Sequence, residues 1–287
     1  MNVREALDAA ARRLENAGVP DARLDAEYLL AEALQTPRLS LLIDKLRPVP
    51  EKAQTVFDGF VSRREAREPL QYILGTQPFM GFSFRTDVRA LIPRNDTEAV
   101  CEAALQVLPK NGAALDLCTG SGALAVAIKK LRPDASVTAS DVSAEALSLA
   151  RENAEALGTE VIFAEGDLFA PLRGTRFDLI VSNPPYIPEG LREELQEEVR
   201  KEPALALFAG VDGLDFYRRI VREAPEHLLP GGWLVLEMGD DQFEAVSAML
   251  TECFEEITLI RDMNGKPRGA RARMKRRKEA ETDGRKV

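Results

Sequence analysis

The chain of 287 residues has 45% hydrophobic and 30% charged residues, a globular composition with room for one large and one smaller domain. A formal net charge of −9 excludes a body that holds nucleic acid through a broad field of lysine and arginine. Cys101, Cys118 and Cys253 lie far apart without metal-ligand spacing, so neither a disulfide framework nor a metal site is expected, and a reducing cytoplasm fits.

The N-terminus is charged and periodic, unlike a signal peptide, and no run reaches the roughly 20 apolar residues that span a bilayer. From Val3 to about Leu70 apolar residues recur at spacings of three and four, as in Leu24, Tyr28 and Leu29, with breaks at 18–20, 36–37 and 48–50. This pattern predicts three or four short helices, a small bundle over residues 1–72. Short aromatic and β-branched runs punctuated by glycine and proline then predict a β-hairpin linker over 73–92.

The remainder, 93–287, alternates strand-like and helix-like stretches. The strand candidates are "AALDLC", "SVTASD", "EVIFAE", "FDLIVS", "GWLVLEM", "EEITLIRD" and a short run near Ala270 to Met274, with further helices near 215–228 and from Gln242. Alternation of this kind implies crossover units and an open, doubly wound α/β sheet, in which ligands bind beyond the carboxyl ends of the strands. From Arg271 to Val287 the chain is basic without an apolar period, and it reads as a solvated terminus, with weak contact to an anionic partner such as nucleic acid as the alternative.

Chemistry is expected at four strand ends. "LDLCTGSGALAVAI" places Gly120 and Gly122 where a strand turns into a helix, a turn that admits a ligand close to backbone and offers free helix amides. No Gly-Lys-Ser or Gly-Lys-Thr closes it, and Leu124 and Ala125 stand where a dinucleotide fingerprint has its third glycine. Asp141, ending the next strand, is placed to accept the hydroxyls of a ribose. Asp167, in "AEGDLF", offers a carboxylate to an exocyclic adenine amine. Taken singly each acid also fits a helix cap, and "DVSAE" has the form of a capping box; taken in order, the three favour an adenosine-bearing ligand. The fourth end is "VSNPPYIP". Its Asn-Pro-Pro-Tyr also fits a tight turn, but two prolines directly after a buried strand fix an amide and an aromatic ring at its end. The only histidine, His227, falls in a predicted helix and reads as a helix-face residue.

Together, "LDLCTGSG", "ASDVS", "EGDLF" and "SNPPY" resemble the seven-stranded, Rossmann-like class I methyltransferases that use S-adenosyl-L-methionine. The Asn-Pro-Pro-Tyr form is shared by adenine-specific DNA methyltransferases and by glutamine methyltransferases of translation factors, so the motif alone leaves the substrate open. "REPLQYILGTQPFMGFSF", "LIPRNDTE", "EVRKEPALALFAGVDGLDFYRRI" and "LLPGGWLVLEMG" are similar to the release factor glutamine, or protein-(glutamine-N5), methyltransferase family over about 25–260.

That resemblance implies a cytoplasmic, monomeric enzyme of translation termination. It would methylate the glutamine of the Gly-Gly-Gln motif in class I peptide chain release factors, with the helical domain gripping the factor. It implies that Cys118, Thr119, Gly120, Ser121 and Gly122 cradle the methionine part of the cofactor, Asp141 binds the ribose, and Asp167 and Leu168 flank the adenine. Asn183, Pro184, Pro185 and Tyr186 would hold the glutamine side chain, with Asn183, Pro184 and Tyr186 the catalytic group and Asn183 also touching the cofactor. Phe79 and Arg94 would line the substrate entrance. No metal is implied. Cys118 stands where the family commonly has glycine and is read as structural, not reactive, and Asn95 stands where "IPRPDTE" has proline. Two other classes stay open at this point: an adenine-N6 DNA or RNA methyltransferase, for which no sizeable basic target-reading insertion is visible, and a non-catalytic cofactor-binding or haem-related protein, for which no haem-ligand signal is visible.

Overall fold

A computed structural model describes residues 1–276. Contacts divide them into two compact units, one of residues Met1–Gln77, Thr86–Val88 and Glu194–Glu202, the other of Pro78–Arg85, Arg89–Glu193 and the chain from Pro203 onward. Residues 73–92 are thus shared between the units instead of forming a body of their own.

The first unit is helical: α1 (Val3–Asn16), α2 (Ala22–Ala33), α3 (Arg38–Ile43), α4 (Glu51–Glu65) and α5 (Leu70–Leu74). Five helices form where three or four were expected. The fifth is a short helix, opened by Pro69 and closed by Gly75 at φ +74°, that straddles the expected boundary between bundle and hairpin. At the start of α1 the Asn2 side chain accepts the Glu5 amide and the Glu5 carboxylate accepts the Asn2 amide, which satisfies two otherwise free donors. Leu7, Leu14, Leu29, Leu30, Leu41, Phe57 and Val61 form the core. One charged cluster is buried with it. Arg64, its side chain 5% exposed, bonds Asp25 and Glu198, each at 2.7 Å, and Arg67 makes two further bonds to Glu198. Burial works to raise the Glu198 carboxyl, but Arg67 and Arg64 outweigh it and bring it down to about 2.

A hairpin of β1 (Thr76–Phe79) and β2 (Phe82–Arg85) follows, with the Phe79 and Phe84 rings edge to face at 6.0 Å. Next comes α6 (Thr97–Val107), which the sequence pattern did not reveal. The alternating elements are β3 (Ala113–Leu117), α7 (Ala123–Leu131), β4 (Ser136–Asp141), α8 (Ala144–Ala156), β5 (Ile162–Glu165), β6 (Phe177–Ser182), α9 (Asp215–His227), β7 (Leu228–Glu237), α10 (Phe243–Leu250), β8 (Phe254–Arg261) and β9 (Pro267–Met274). They build the expected seven-stranded sheet, in the order β5-β4-β3-β6-β7-β9-β8, with β9 antiparallel to both neighbours. The chain winds outward from β3 through β4 to β5, then returns to β6 on the other side, so β3 and β6 flank the switch point where such sheets bind ligands.

One apolar cluster joins α6 and α7 to one face of the sheet, and another joins α9 and α10 to the opposite face. Arg271 to Met274 belong to β9, paired with β7, and not to a frayed end; the rest of the expected basic tail, from residue 277, lies outside the described residues. Among the described residues no helix is long and apolar enough to cross a membrane.

Arg64 supplies a clear stability test. Replacing it by methionine fills the space but leaves Asp25 buried without its charge partner, a change that costs about 3 kcal/mol. Denaturant unfolding of Arg64→Met should show that loss in the helical unit, while Arg4→Met, in an exposed ion pair with Asp8, stays within about 0.5 kcal/mol of the parent.

Candidate active site

The site rests on strand register. Leu117 of β3 pairs with Ser140 of β4 on one side and Ser182 of β6 on the other. The residues that follow, Cys118, Asp141 and Asn183, therefore leave the sheet side by side. They open onto a cleft whose empty space, its open mouth included, is about 1000 Å³. Of the residues expected to hold a cofactor, Cys118, Thr119, Gly120, Ser121, Asp141, Asp167, Leu168 and Asn183 line this cleft. Of those expected to hold a substrate, Phe79, Arg94, Asn183 and Pro185 line it. Gly122, Pro184 and Tyr186 are not among the residues that line it.

Asp116, within β3, shapes the glycine turn. Its Oδ2 accepts the Thr119 hydroxyl and the amide of Ala125 at 3.0 Å, bending the chain tightly from strand into helix. Its Oδ1 has no hydrogen-bond partner among the described residues, and burial pushes the carboxyl up to about 7 against the pull of those two bonds. Cys118 takes φ +63°, a left-handed conformation that explains why glycine suits this position and that burdens any other residue with strain. Burial holds its thiol well above the ordinary range, which keeps it un-ionised. Gly122, at φ +81°, can be nothing larger, because a Cβ would stand 2.9 Å from that of Ala150 on α8. At Gly120, by contrast, a Cβ would meet no protein atom within 4 Å, and the vacant space belongs to the cleft.

Asp141 accepts the Gly120 amide on Oδ2 and the Ser143 amide on Oδ1, each at 2.9 Å, which locks the carboxylate in one orientation. Each oxygen retains a further lone pair. Burial raises this carboxyl, while the backbone donors oppose it. Asp167 is half-exposed and pairs with Arg219 of α9 at 2.7 Å through Oδ2.

After β6, Pro184 and Pro185 are buried and Asn183 is half-buried. Asn183 Nδ2 donates to the Thr97 hydroxyl oxygen at 3.4 Å, and Thr97 in turn bonds the carboxylate of Glu237, the last residue of β7. The Tyr186 ring packs against the cluster under α9 and α10, and its carbonyl accepts Gln242 Nε2 at 3.0 Å. A side chain at Gly213 would strike that carbonyl at 2.3 Å, so backbone approaches backbone there. His227 is buried at the end of α9, stacked on Phe169 at 4.6 Å, away from the cleft.

Sequence reasoning passed over Thr97, Asp116, Glu237 and Gln242, and over Leu205 and Phe216, which complete the cleft wall. Two of them did leave a signal: Asp116 and Glu237 are carboxylates inside otherwise apolar strands, where an acid needs a reason.

Two family models match the chain. Residues 5–75 match the PrmC N-terminal domain and 96–204 the methyltransferase small domain. The release factor glutamine methyltransferase of Geobacter sulfurreducens is 48% identical over 92% of this chain and 93% of its own. That of Deinococcus radiodurans is 42% identical, with 95% and 99% covered. Among solved structures, the 16S rRNA N2 G1207 methyltransferase of T. thermophilus, in complex with AdoMet and guanosine, superposes with a TM-score of 0.52 at 20% identity. It covers 70% of this chain and 50% of that one, and the likeness is one of fold.

Asp116 carries a pH-dependent prediction. Its folded value of about 7 lies above that of an unfolded aspartate, so the native state binds more protons between about pH 4 and 7 and loses stability as pH rises through that window. Asp116→Asn keeps one oxygen for Thr119 and Ala125 and cannot ionise. Relative to the parent, its melting stability should improve by on the order of 2 kcal/mol from pH 5 to pH 8; a constant difference across that range would contradict the assignment.

Proposed function

Because the chain belongs to the release factor glutamine methyltransferase family, we propose that it transfers a methyl group from S-adenosylmethionine to the side-chain amide nitrogen of the Gly-Gly-Gln glutamine in class I peptide chain release factors. The carrying observation is the placement of the Asn183 amide on the wall of one cleft with the glycine turn and Asp141.

The residues fit the cofactor. The space beside Gly120 is a cradle that a Cβ would fill, suited to the methionine part close against backbone. Asp141, held by two amides, has lone pairs for the ribose hydroxyls. Asp167, with Oδ2 taken by Arg219, keeps Oδ1 for the adenine amine, and Leu168 supplies an apolar wall. When bound, S-adenosylmethionine supplies a methyl carbon activated by its sulfonium charge and departs as S-adenosylhomocysteine.

The chain's own task is to make a poor nucleophile react. An amide nitrogen has a delocalised lone pair, and its methylation builds positive charge on that nitrogen. The Asn183 Oδ1 and the Pro184 carbonyl are the acceptors for its two hydrogens, stabilising the charge as it grows. Pro184 and Pro185 fix their backbone φ and hold these acceptors still. Orientation in the cleft, with Phe79 and Arg94 in its lining, supplies much of the remaining acceleration. The product amide sheds one proton to solvent, and no strong base is needed. The cleft contains no histidine, in keeping with this chemistry.

Incubation with cofactor and unmodified release factor should add one methyl to the Gly-Gly-Gln peptide, read by mass spectrometry. An unmodified peptide alongside N6-methylated adenine in DNA would replace this reading with the nucleic-acid one. Asn183→Ala should lower kcat roughly a hundredfold while cofactor affinity, by calorimetry, changes little; equal losses in both would contradict the acceptor role.

A further inference from the structure

We propose that Thr97 and Glu237 are positioning residues that fix which end of the Asn183 amide faces the reacting nitrogen. The proposal rests on the acceptor role given to Asn183 above. The two ends of an amide are almost the same size, so packing cannot choose between them and only hydrogen-bond partners can.

Here the choice follows from a count of protons. Thr97, the first residue of α6, has one hydroxyl proton, and two groups compete for it: the Glu237 carboxylate and the Asn183 amide. A carboxylate is the stronger acceptor and takes the proton. The Thr97 oxygen is then left as an acceptor, and only the Nδ2 end of Asn183 satisfies it, as found at 3.4 Å. Oδ1 is thereby turned to the other side. With the amide reversed, its NH₂ would confront a nitrogen that carries two hydrogens and gains positive charge, and the transition state would be opposed instead of stabilised.

Glu237 is kept in a place that does not favour it. It is 2% exposed, its Oε2 has no hydrogen-bond partner among the described residues, and burial raises its carboxyl to about 7. Thr97, Arg268 and Arg94 favour its ionised form, and Asp96 opposes it. A group retained at such expense to stability fits an orienting role better than a packing one.

The test is steady-state methylation of unmodified release factor at about pH 8.5, above the carboxyl's value of about 7, with cofactor affinity measured by calorimetry. Thr97→Val keeps the shape but removes the hydroxyl, and should lower kcat roughly tenfold to a hundredfold with cofactor affinity held within about twofold. Thr97→Ser, which keeps the hydroxyl, should restore most of the loss. In an Asn183→Ala background Thr97→Val should have no further effect, since the amide it orients is gone.

Equal losses in the valine and serine variants, or a Thr97→Val loss that multiplies onto that of Asn183→Ala, would overturn the proposal. Should the valine variant fail to fold, Thr97→Ala takes its place in the same comparisons. A parent enzyme that leaves the release factor unmethylated would sink the functional reading itself. An active parent unaffected by Thr97→Val would sink the positioning role alone.

Discussion

The parallel register of β3 against β4 and β6 is the constraint from which the site follows. Leu117 is bracketed by Ser140 and Ser182, the Thr119 amide donates to the Ser140 carbonyl, and the Ser182 hydroxyl donates to the Leu117 carbonyl at 2.6 Å. A slip of one residue in either pairing would turn that strand's side chains to the opposite face and bury Asp141 or Asn183 against the core. The register is enforced because all three strands are buried on both faces. Ala114, Leu115, Leu117, Ala139, Leu179, Ile180 and Val181 are almost wholly inaccessible. Two helices of the same unit, α7 and α8, then extend from the glycine turn and from Asp141, so the elements that pack the sheet also carry the ligand-facing turns.

Around those strand ends the molecule departs from what stability alone would favour. Cys118 is left-handed without being glycine, and Asp116 and Glu237 each keep an oxygen without a hydrogen-bond partner among the described residues. Each departure serves the shape of the cleft wall. Asp116 pulls Thr119 and the start of α7 into the turn, and Glu237 stands behind Thr97 and Asn183. At these residues strain and buried polarity hold a backbone or an amide in one orientation, as expected where a surrounding core over-determines the local conformation.

Contiguous features were legible in the sequence. The glycine turn, the acids after β4 and β5, and the Asn-Pro-Pro-Tyr after β6 are each a run of a few residues at a strand end, and the alternation of strands and helices announced the sheet. Features made by residues distant in the chain were not. Thr97 meets Asn183 across 86 positions, and nothing in "NDTEAV" marks it as a partner for a strand end far downstream. The helix α6 (Thr97–Val107) was passed over because the alternation was read only from "AALDLC" onward. The placement of Glu194–Glu202 with the first unit depends on Glu198 meeting Arg64 and Arg67, a pairing that a charge-rich segment does not disclose by itself.

The same distinction explains how the Asn-Pro-Pro-Tyr turn holds its shape. Two consecutive prolines contribute no N–H, so the turn cannot close itself with its own backbone donors. It is held instead by later chain. Gln242 donates to the Tyr186 carbonyl, beside which the backbone of Gly213 passes closely, and Ile187 exchanges bonds of 2.9 Å with Leu207 and Ala209. Gln242 is itself fixed, its Oε1 accepting the Gly239 amide at 2.9 Å and the Tyr217 hydroxyl at 3.3 Å. The prolines restrict the turn's own dihedrals, and this outer clasp decides where the turn sits. The motif names the chemistry that the strand end can perform, while its aim belongs to residues that the motif does not contain.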